Sequence, residues 1–194
     1  MSLTCRCYTG AGIAPLVEQL AHLRIAVFRD WPYLYDGDLD YERRYLTGYA
    51  QGDAILVAAF DGARMVGAST GMPIADHSDH LSDALTGFTQ DLKSVFYCAE
   101  SVLLSKFRGQ GAYRVFFAER EAHARRLDFT FSAFCAVTRP ADHPLRPATH
   151  KPLDPVWRRF GYAPLPGVVA RMRWRDIGAP SETDKPLQFW GKSL

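Results

Sequence analysis

Asparagine is absent from this chain, lysine is scarce beside arginine, and no two cysteines stand in a C-x-x-C arrangement. The first two biases fit genome base composition as well as any function, so they exclude nothing. The third argues against a redox or zinc motif. The four cysteines, Cys5, Cys7, Cys98 and Cys135, sit beside Tyr8, Phe96, Tyr97 and Phe134 and are expected to be buried strand thiols in a reduced, cytoplasmic chain. The opening "MSLTCRCYTG" lacks the basic start and apolar run of a signal peptide. There is no run of about 18 or more apolar residues, so nothing is expected to span a membrane. The formal net charge of +2 exerts no global pull toward nucleic acid. His77 and His80 in "HSDH" have no third ligand spaced to help them, so no metal site is expected. G-x-x-x-x-G-K-[ST] does not occur, and Arg114 stands where a dinucleotide fingerprint needs its third glycine.

What is present is an ordinary globular composition in 194 residues, enough for a single domain, 1–194, with one sizeable core. A short strand is expected at 3–8. A helix follows from Ile13, with Leu16, Val17, Leu20, Leu23, Val27 and Phe28 at helical spacing. "DYERRYLTGY" reads as a second helix with Asp40 as N-cap and with Tyr41, Tyr45, Leu46 and Tyr49 on one face. "AILVAAF" and "RMVGASTGM" flank Asp61-Gly62 as a hairpin. Beyond a polar stretch with a short helix near 81–92 come a strand at 95–104, a helix at about 112–127 and a strand at 129–137. A loop then spans 138–153. "DPVWRRFGY" reads as a compact helix with Asp154 as N-cap, Pro155 in its first position and Gly161 past its end. "VVARMRWRD" reads as the last strand, with Arg171, Arg173 and Arg175 on its wet face. The order β-α-α-β-β-(α)-β-α-β-α-β makes a mixed α/β domain.

One junction asks for an explanation. "SKFRGQGAYRVFF" spends Arg108, Gly109 and Gly111 on a strand-to-helix turn. A glycine turn at a helix N-terminus offers free N–H groups, close backbone approach and a positive dipole end, which together suit an anion. With the element order, this stretch resembles the GNAT superfamily of N-acetyltransferases. The hallmark of that superfamily, Q/R-x-x-G-x-G/A, cradles the pyrophosphate of acetyl-CoA. "VWRRFGY" is similar to the later F-Y-x-K-x-G-F helix of the same family. The resemblance implies a mostly antiparallel central sheet flanked by helices. It also implies acetyl-CoA as co-substrate, with Arg108, Gly109, Gln110, Gly111, Ala112 and Tyr113 at its pyrophosphate and the backbone of Val102, Leu103 and Leu104 along its pantetheine arm. Two positions depart from the family pattern. Tyr113 stands where glycine or alanine is usual, and Trp157 stands where a tyrosine often serves as acid.

Acetyl transfer to an amine needs the amine positioned, a proton removed and the departing thiolate stabilised. Regular alternation would put Phe96, Cys98, Glu100, Val102 and Leu104 on one face, leaving Glu100 a desolvated carboxylate fit to be the general base. Tyr97, Cys135 and Tyr162 stand as substitutes for the missing acid. The acidic and aromatic stretch "DWPYLYDGDLDYE" suits a cationic amine. The long 138–153 loop offers Arg139, His143, Arg146, His150 and Lys151 to an anionic group. The expected activity is direct, acetyl-CoA-dependent transfer to a small primary amine, with no nucleic acid or membrane partner. The resemblance leaves room for a homodimer. Two alternatives stay open: a GNAT-fold module that binds acyl-CoA without catalysis, and an enzyme whose acceptor is a protein or peptide.

Overall fold

The structure, a computed structural model, describes residues 3–77, 79–86, 88 and 91–194, with the side chains of Asp79 and His80 outside that description. The elements are β1 (Thr4–Thr9), α1 (Val17–Phe28), α2 (Leu39–Thr47), β2 (Ile55–Asp61), β3 (Arg64–Pro73), α3 (Asp79–Leu85), β4 (Val95–Tyr97) and β5 (Ser101–Leu103). They continue with α4 (Ala112–Arg126), β6 (Phe131–Val137), α5 (Asp154–Arg159), β7 (Ala163–Arg175) and β8 (Glu182–Ser193). The strands lie in the order β1-β2-β3-β4-β6-β8-β7, and β5 pairs with β3. Every pair is antiparallel except β4 with β6.

β2 and β3 are buried along nearly their whole length, which is why they read as continuous apolar runs. One of their faces meets α4 through Phe116, Phe117 and Ala124. The other meets α1 and α2 through Leu20, Leu23, Leu46 and Tyr49. A third cluster joins α3 to β6, β7 and β8 through Leu81, Leu85, Phe131, Leu187 and Phe189. Helix α1 stops at Phe28, three residues before the Trp31–Pro32 pair that bars helical backbone.

The structure corrects several expectations. The strand at 95–104 is broken into β4 and β5. β8 was not anticipated at all, yet it lies between β6 and β7. Its alternation is interrupted by Pro186 and by Lys185, a buried lysine that donates to the carbonyls of Trp174 (3.1 Å) and Thr183 (2.9 Å). The N-cap of α2 is Asp38, whose Oδ1 accepts from the N–H of Tyr41 at 2.7 Å, and not Asp40. Leu153 occupies the N-cap position of α5, so Asp154 is its first helical residue. Cys98 and Cys135 are buried, but Cys7 is exposed and Cys5 only half-buried, because β1 is an edge strand. The run Gly10–Phe28 is long and apolar enough to cross a membrane by length and composition. Here it is divided by two 3-10 turns, and it buries Leu20, Ala21 and Leu23 against the sheet.

Candidate functional site

The break between β4 and β5 creates the site. β4 runs parallel to β6 as far as Tyr97 and Ala133, and the N–H of Cys98 makes one more bond to the Ala133 carbonyl at 2.7 Å. The chain then bulges. Ala99 donates to Thr70, Thr70 donates to Glu100, and β5 continues on β3 alone. β6 meanwhile stays with β8, so a wedge opens between β5 and β6. The bulge also turns the side chains over. Phe96 and Cys98 face α4, whereas Val102 packs with the α1 cluster. The expectation that Phe96, Cys98, Glu100, Val102 and Leu104 share a face is therefore wrong, because two residues occupy a place on the ladder meant for one.

A cleft of about 450 Å³ fills the wedge and is lined by Cys98, Glu100, Tyr113, Arg120, Phe134 and Trp157 among others. Of the three residues assigned to a pantetheine arm, Leu104 donates to the Val66 carbonyl and Val102 sits opposite Ala68. Ladder alternation then directs the backbone groups of Leu103, together with those of Ser101, to the open edge. The glycine turn caps the same end of the sheet. Gly109 and Gly111 have φ of +80° and +88°, and a Cβ on either would project into open space. α4 starts at Ala112, so the N–H groups of its first turn point outward beside the turn.

The two departures from the family pattern touch one another. Trp157 Nε1 donates to the Tyr113 hydroxyl at 2.9 Å. Burial raises the Tyr113 hydroxyl, while that hydrogen bond and the nearby charge of Arg120 work against the rise.

A second cleft, of about 460 Å³, opens on the other side of the bulge. Its aromatic wall includes Tyr33, Tyr35, Tyr41, Tyr45 and Trp174. The 30–36 segment supplies part of that wall because it is pinned to β7: Asp36 donates to Arg175 and Ile177 donates to Leu34. Arg139 fixes the same segment, gripping Asp176 through two 2.8 Å bonds and the carbonyls of Pro32 and Tyr33. Arg139 is therefore committed to structure. Arg146 and His150 from the same loop line the first cleft. Burial, first of all, pushes the hydroxyls of Tyr33, Tyr35 and Tyr45 well up, so all three stay neutral phenols.

At the floor of this second cleft Arg24 bridges two buried carboxylates. Its Nε meets Glu42 Oε2 and its Nη1 meets Glu100 Oε2, both at 2.5 Å. Desolvation opposes the charge on Arg24, but Glu100, Tyr45 and Glu42 overcome it and hold the guanidinium firmly protonated. Two carboxylates against one guanidinium leave this group formally one negative charge in excess. Glu100 Oε1 and Glu42 Oε1 are buried and find no hydrogen-bond partner within normal geometry among the described residues, although the Tyr35 hydroxyl lies close enough to Glu42 for that carboxylate to help raise it, after burial. The two clefts share Phe28, Tyr33, Ala99, Glu100 and Cys135. Burial pushes the Cys135 thiol up to about 12, and its Sγ lies 3.1 Å from the Tyr97 hydroxyl. Tyr162, the third substitute acid, bonds Ser132 at 2.7 Å and lines neither cleft.

Sequence reasoning placed Tyr33 and Glu42 in the acidic and aromatic stretch offered to an amine, but missed Arg24 and Arg120. Both arginines left a signal, since Arg24 follows Leu20 and Arg120 follows Phe116 by one helical turn on an otherwise apolar stripe. Among the described residues no cluster of three or more metal-ligating side chains occurs, and the side chain of His80 lies outside that description.

A bulged, splayed sheet with a glycine turn opening the following helix is the fold of the GCN5-related N-acetyltransferases. No protein-family model matches this chain, and no curated protein matches it. The solved structures it resembles share the fold at low identity. Ribosomal-protein-alanine N-acetyltransferase from Brucella melitensis superposes with a TM-score of 0.62 at 15% identity, over 98% of this chain and 99% of that one. Polyamine N-acetyltransferase from Drosophila melanogaster, which catalyses the formation of N-acetylagmatine, gives 0.59 at 11% identity over 100% of both chains. yncA from Salmonella typhimurium, solved with its cofactor acetyl-CoA, gives 0.56 at 12% identity over 100% of this chain and 95% of that one.

Proposed function

We propose that this chain is an N-acetyltransferase that moves an acetyl group from acetyl-CoA directly to a primary amine. One observation carries the reading: two separate clefts, one beside an anion-ready glycine turn and one walled by aromatic rings and carboxylates, meet at Glu100. A donor and an acceptor bound in the two clefts would meet there without an intermediate carrier.

The residues present fit acetyl-CoA. The positive-φ glycines leave a cradle that any Cβ would fill, and the open edge at Ser101 and Leu103 offers backbone groups that the β3 ladder does not use, the Leu103 carbonyl taking only a long bond from Arg108 Nε at 3.4 Å. Arg108 and the N–H groups of 109–113 would hold the pyrophosphate, with Tyr113 at the mouth of the arm's channel. Bound acetyl-CoA supplies an activated acetyl thioester. The chain's own contribution is position and charge. Glu100 Oε1 takes a proton from the incoming ammonium, while Oε2 stays on Arg24 and keeps the carboxylate aimed. The net negative charge of the Arg24 group and the rings of Tyr33 and Tyr45 hold the cationic amine before it reacts.

The bridge between Arg24 and Glu100 favours a second reading, in which the carboxylate is structural and the domain binds acyl-CoA without turnover. Incubating the protein with acetyl-CoA and a panel of primary amines, and following release of free CoA, separates the two. Amine-dependent release supports the enzyme, and acetyl-CoA binding with no release across the panel supports the module.

A further inference from the structure

Arg120 is 1% exposed, stands on the inner stripe of α4, and forms no ion pair among the described residues. A buried guanidinium with no counter-ion is costly. Part of that cost is offset locally. Nε donates to the Phe116 carbonyl at 3.3 Å, and Nη1 donates to the carbonyls of Thr70 and Glu100, each at 3.2 Å. The guanidinium carbon lies 4.8 Å from the centre of the Phe117 ring. Nη2 meets no acceptor among the described residues, and the side chain lines the cleft between β5 and β6.

The two clefts thus carry opposite uncompensated charge on either side of one peptide. The Glu100 carboxylate belongs to a group one negative charge in excess. Its own carbonyl accepts from a cation whose side chain lines the other cleft. In acyl transfer from a thioester to an amine, the C–N bond forms, the C–S bond breaks, and sulfur departs with the bonding pair. Of the two protons an ammonium gives up, one ends on that sulfur and the other reaches solvent. With acetyl-CoA held as proposed above, its arm would pass from the glycine turn along Ser101 and Leu103 and the negative charge in between would develop near the bulge, where Arg120 meets the carbonyls of Thr70 and Glu100.

We propose that Arg120 is the electrophilic group of the transfer: its Nη2 faces the thioester end of the coenzyme and stabilises the charge on the departing sulfur. The proposal rests on the acetyl-CoA reading above. It also gives the unpartnered cation a purpose that bracing the bulge does not need, because Nη1 alone makes both bulge contacts. Arg120 exchanges no proton, so the sulfur is protonated after departure.

The test compares CoA with desulfo-CoA, which lacks only the thiol, by calorimetry from about pH 6 to pH 9.5. A cation beside a thiol lowers its pKa by roughly 1–2 units, here from that of an unactivated alkyl thiol, about a unit above a cysteine's 8.5. The affinity ratio of CoA to desulfo-CoA should therefore rise about 5- to 50-fold across that range in the wild type. Cys98, Glu100, Tyr113 and Cys135 line this cleft too, and so do Arg146, His150, Asp154 and Arg158 across its opening, but each meets both ligands alike and so cancels in the ratio. Arg120→Met should flatten the ratio, and Arg120→Lys, which keeps the charge, should retain part of the rise. A flat ratio in the wild type overturns the proposal with no variant needed, and so does an equal rise in a folded Arg120→Met protein. If neither ligand binds at any pH, the acetyl-CoA reading itself falls, and this inference with it.

Discussion

Replacing Arg24 with methionine removes the one cation between two buried carboxylates. Methionine keeps the apolar stem packed where the guanidinium now lies over the rings of Phe28 (5.0 Å) and Tyr45 (4.7 Å), so the change isolates charge from packing. Glu42 and Glu100 side chains are 1% and 3% exposed, and each now sits 2.5 Å from the guanidinium. Without it, two carboxylates about 5 Å apart repel by roughly 3 kcal/mol at an effective dielectric near 20. Breaking a buried pair by deleting one partner costs about 3–5 kcal/mol, and the two figures agree. For a domain of this size that is a fall of about 10 °C in Tm. The sign of the pH dependence follows. A buried carboxylate left without its partner gains stability by taking up a proton, so the variant's deficit is greatest at neutral pH and shrinks as pH falls toward about 4. Adding Glu42→Gln and Glu100→Gln should restore much of the loss. The assay is thermal unfolding followed by circular dichroism between about pH 4 and pH 8. A melting point within about 2 °C of wild type, or a deficit that does not vary with pH, would refute the description of these three side chains as a charge-coupled buried group.

Gly111→Val puts a side chain at φ +88° in open space, so it costs the fold only about 1–2 kcal/mol of backbone strain while blocking the cradle; calorimetry should show acetyl-CoA binding lost from a folded protein, and retained affinity would displace the coenzyme from the turn. Glu100→Gln should lower kcat by about 10²- to 10⁴-fold with acetyl-CoA affinity little changed, and the acidic limb of the pH–rate profile should disappear; near-normal turnover with that limb intact would make Glu100 structural. Burial opposes the charge on Asp176, but Arg139 and then Lys185 overcome it and hold the carboxyl below its ordinary range, so its contribution is present at neutral pH and lost as pH falls through the lowered value. Asp176→Asn should therefore destabilise by about 1–2 kcal/mol at pH 7, solvent screening keeping it modest, and should differ little from wild type in denaturant melts near pH 3.

The elements that announced themselves in the sequence were those whose pattern is local. The hairpin at Asp61-Gly62, the glycine turn and the stripe of α4 each depend on neighbours within one or two turns of chain. β8 depends on partners far away, so Lys185 and Pro186 could interrupt its alternation without harm: the lysine is satisfied by carbonyls of Trp174 and Thr183. The bulge at Cys98–Glu100 left no mark in residue type, because it is set by the two strands parting company. That is why Glu100 was singled out but given the wrong neighbours. The partners that matter to it, Arg24 and Glu42, come from α1 and α2, and only the folded chain brings them beneath one carboxylate. The same holds for Trp157 and Tyr113, which read as two unrelated departures from a motif and turn out to be one hydrogen-bonded pair.

The claim that donor and acceptor clefts meet at Glu100 comes down to whether both substrates occupy the protein together. Initial rates measured over a grid of acetyl-CoA and amine concentrations decide it. Direct transfer requires both ligands bound before any product leaves, so double-reciprocal lines should intersect. Parallel lines would mean that CoA departs before the amine arrives, which needs a covalent acyl carrier such as Cys135 at the junction and would contradict the two-cleft mechanism.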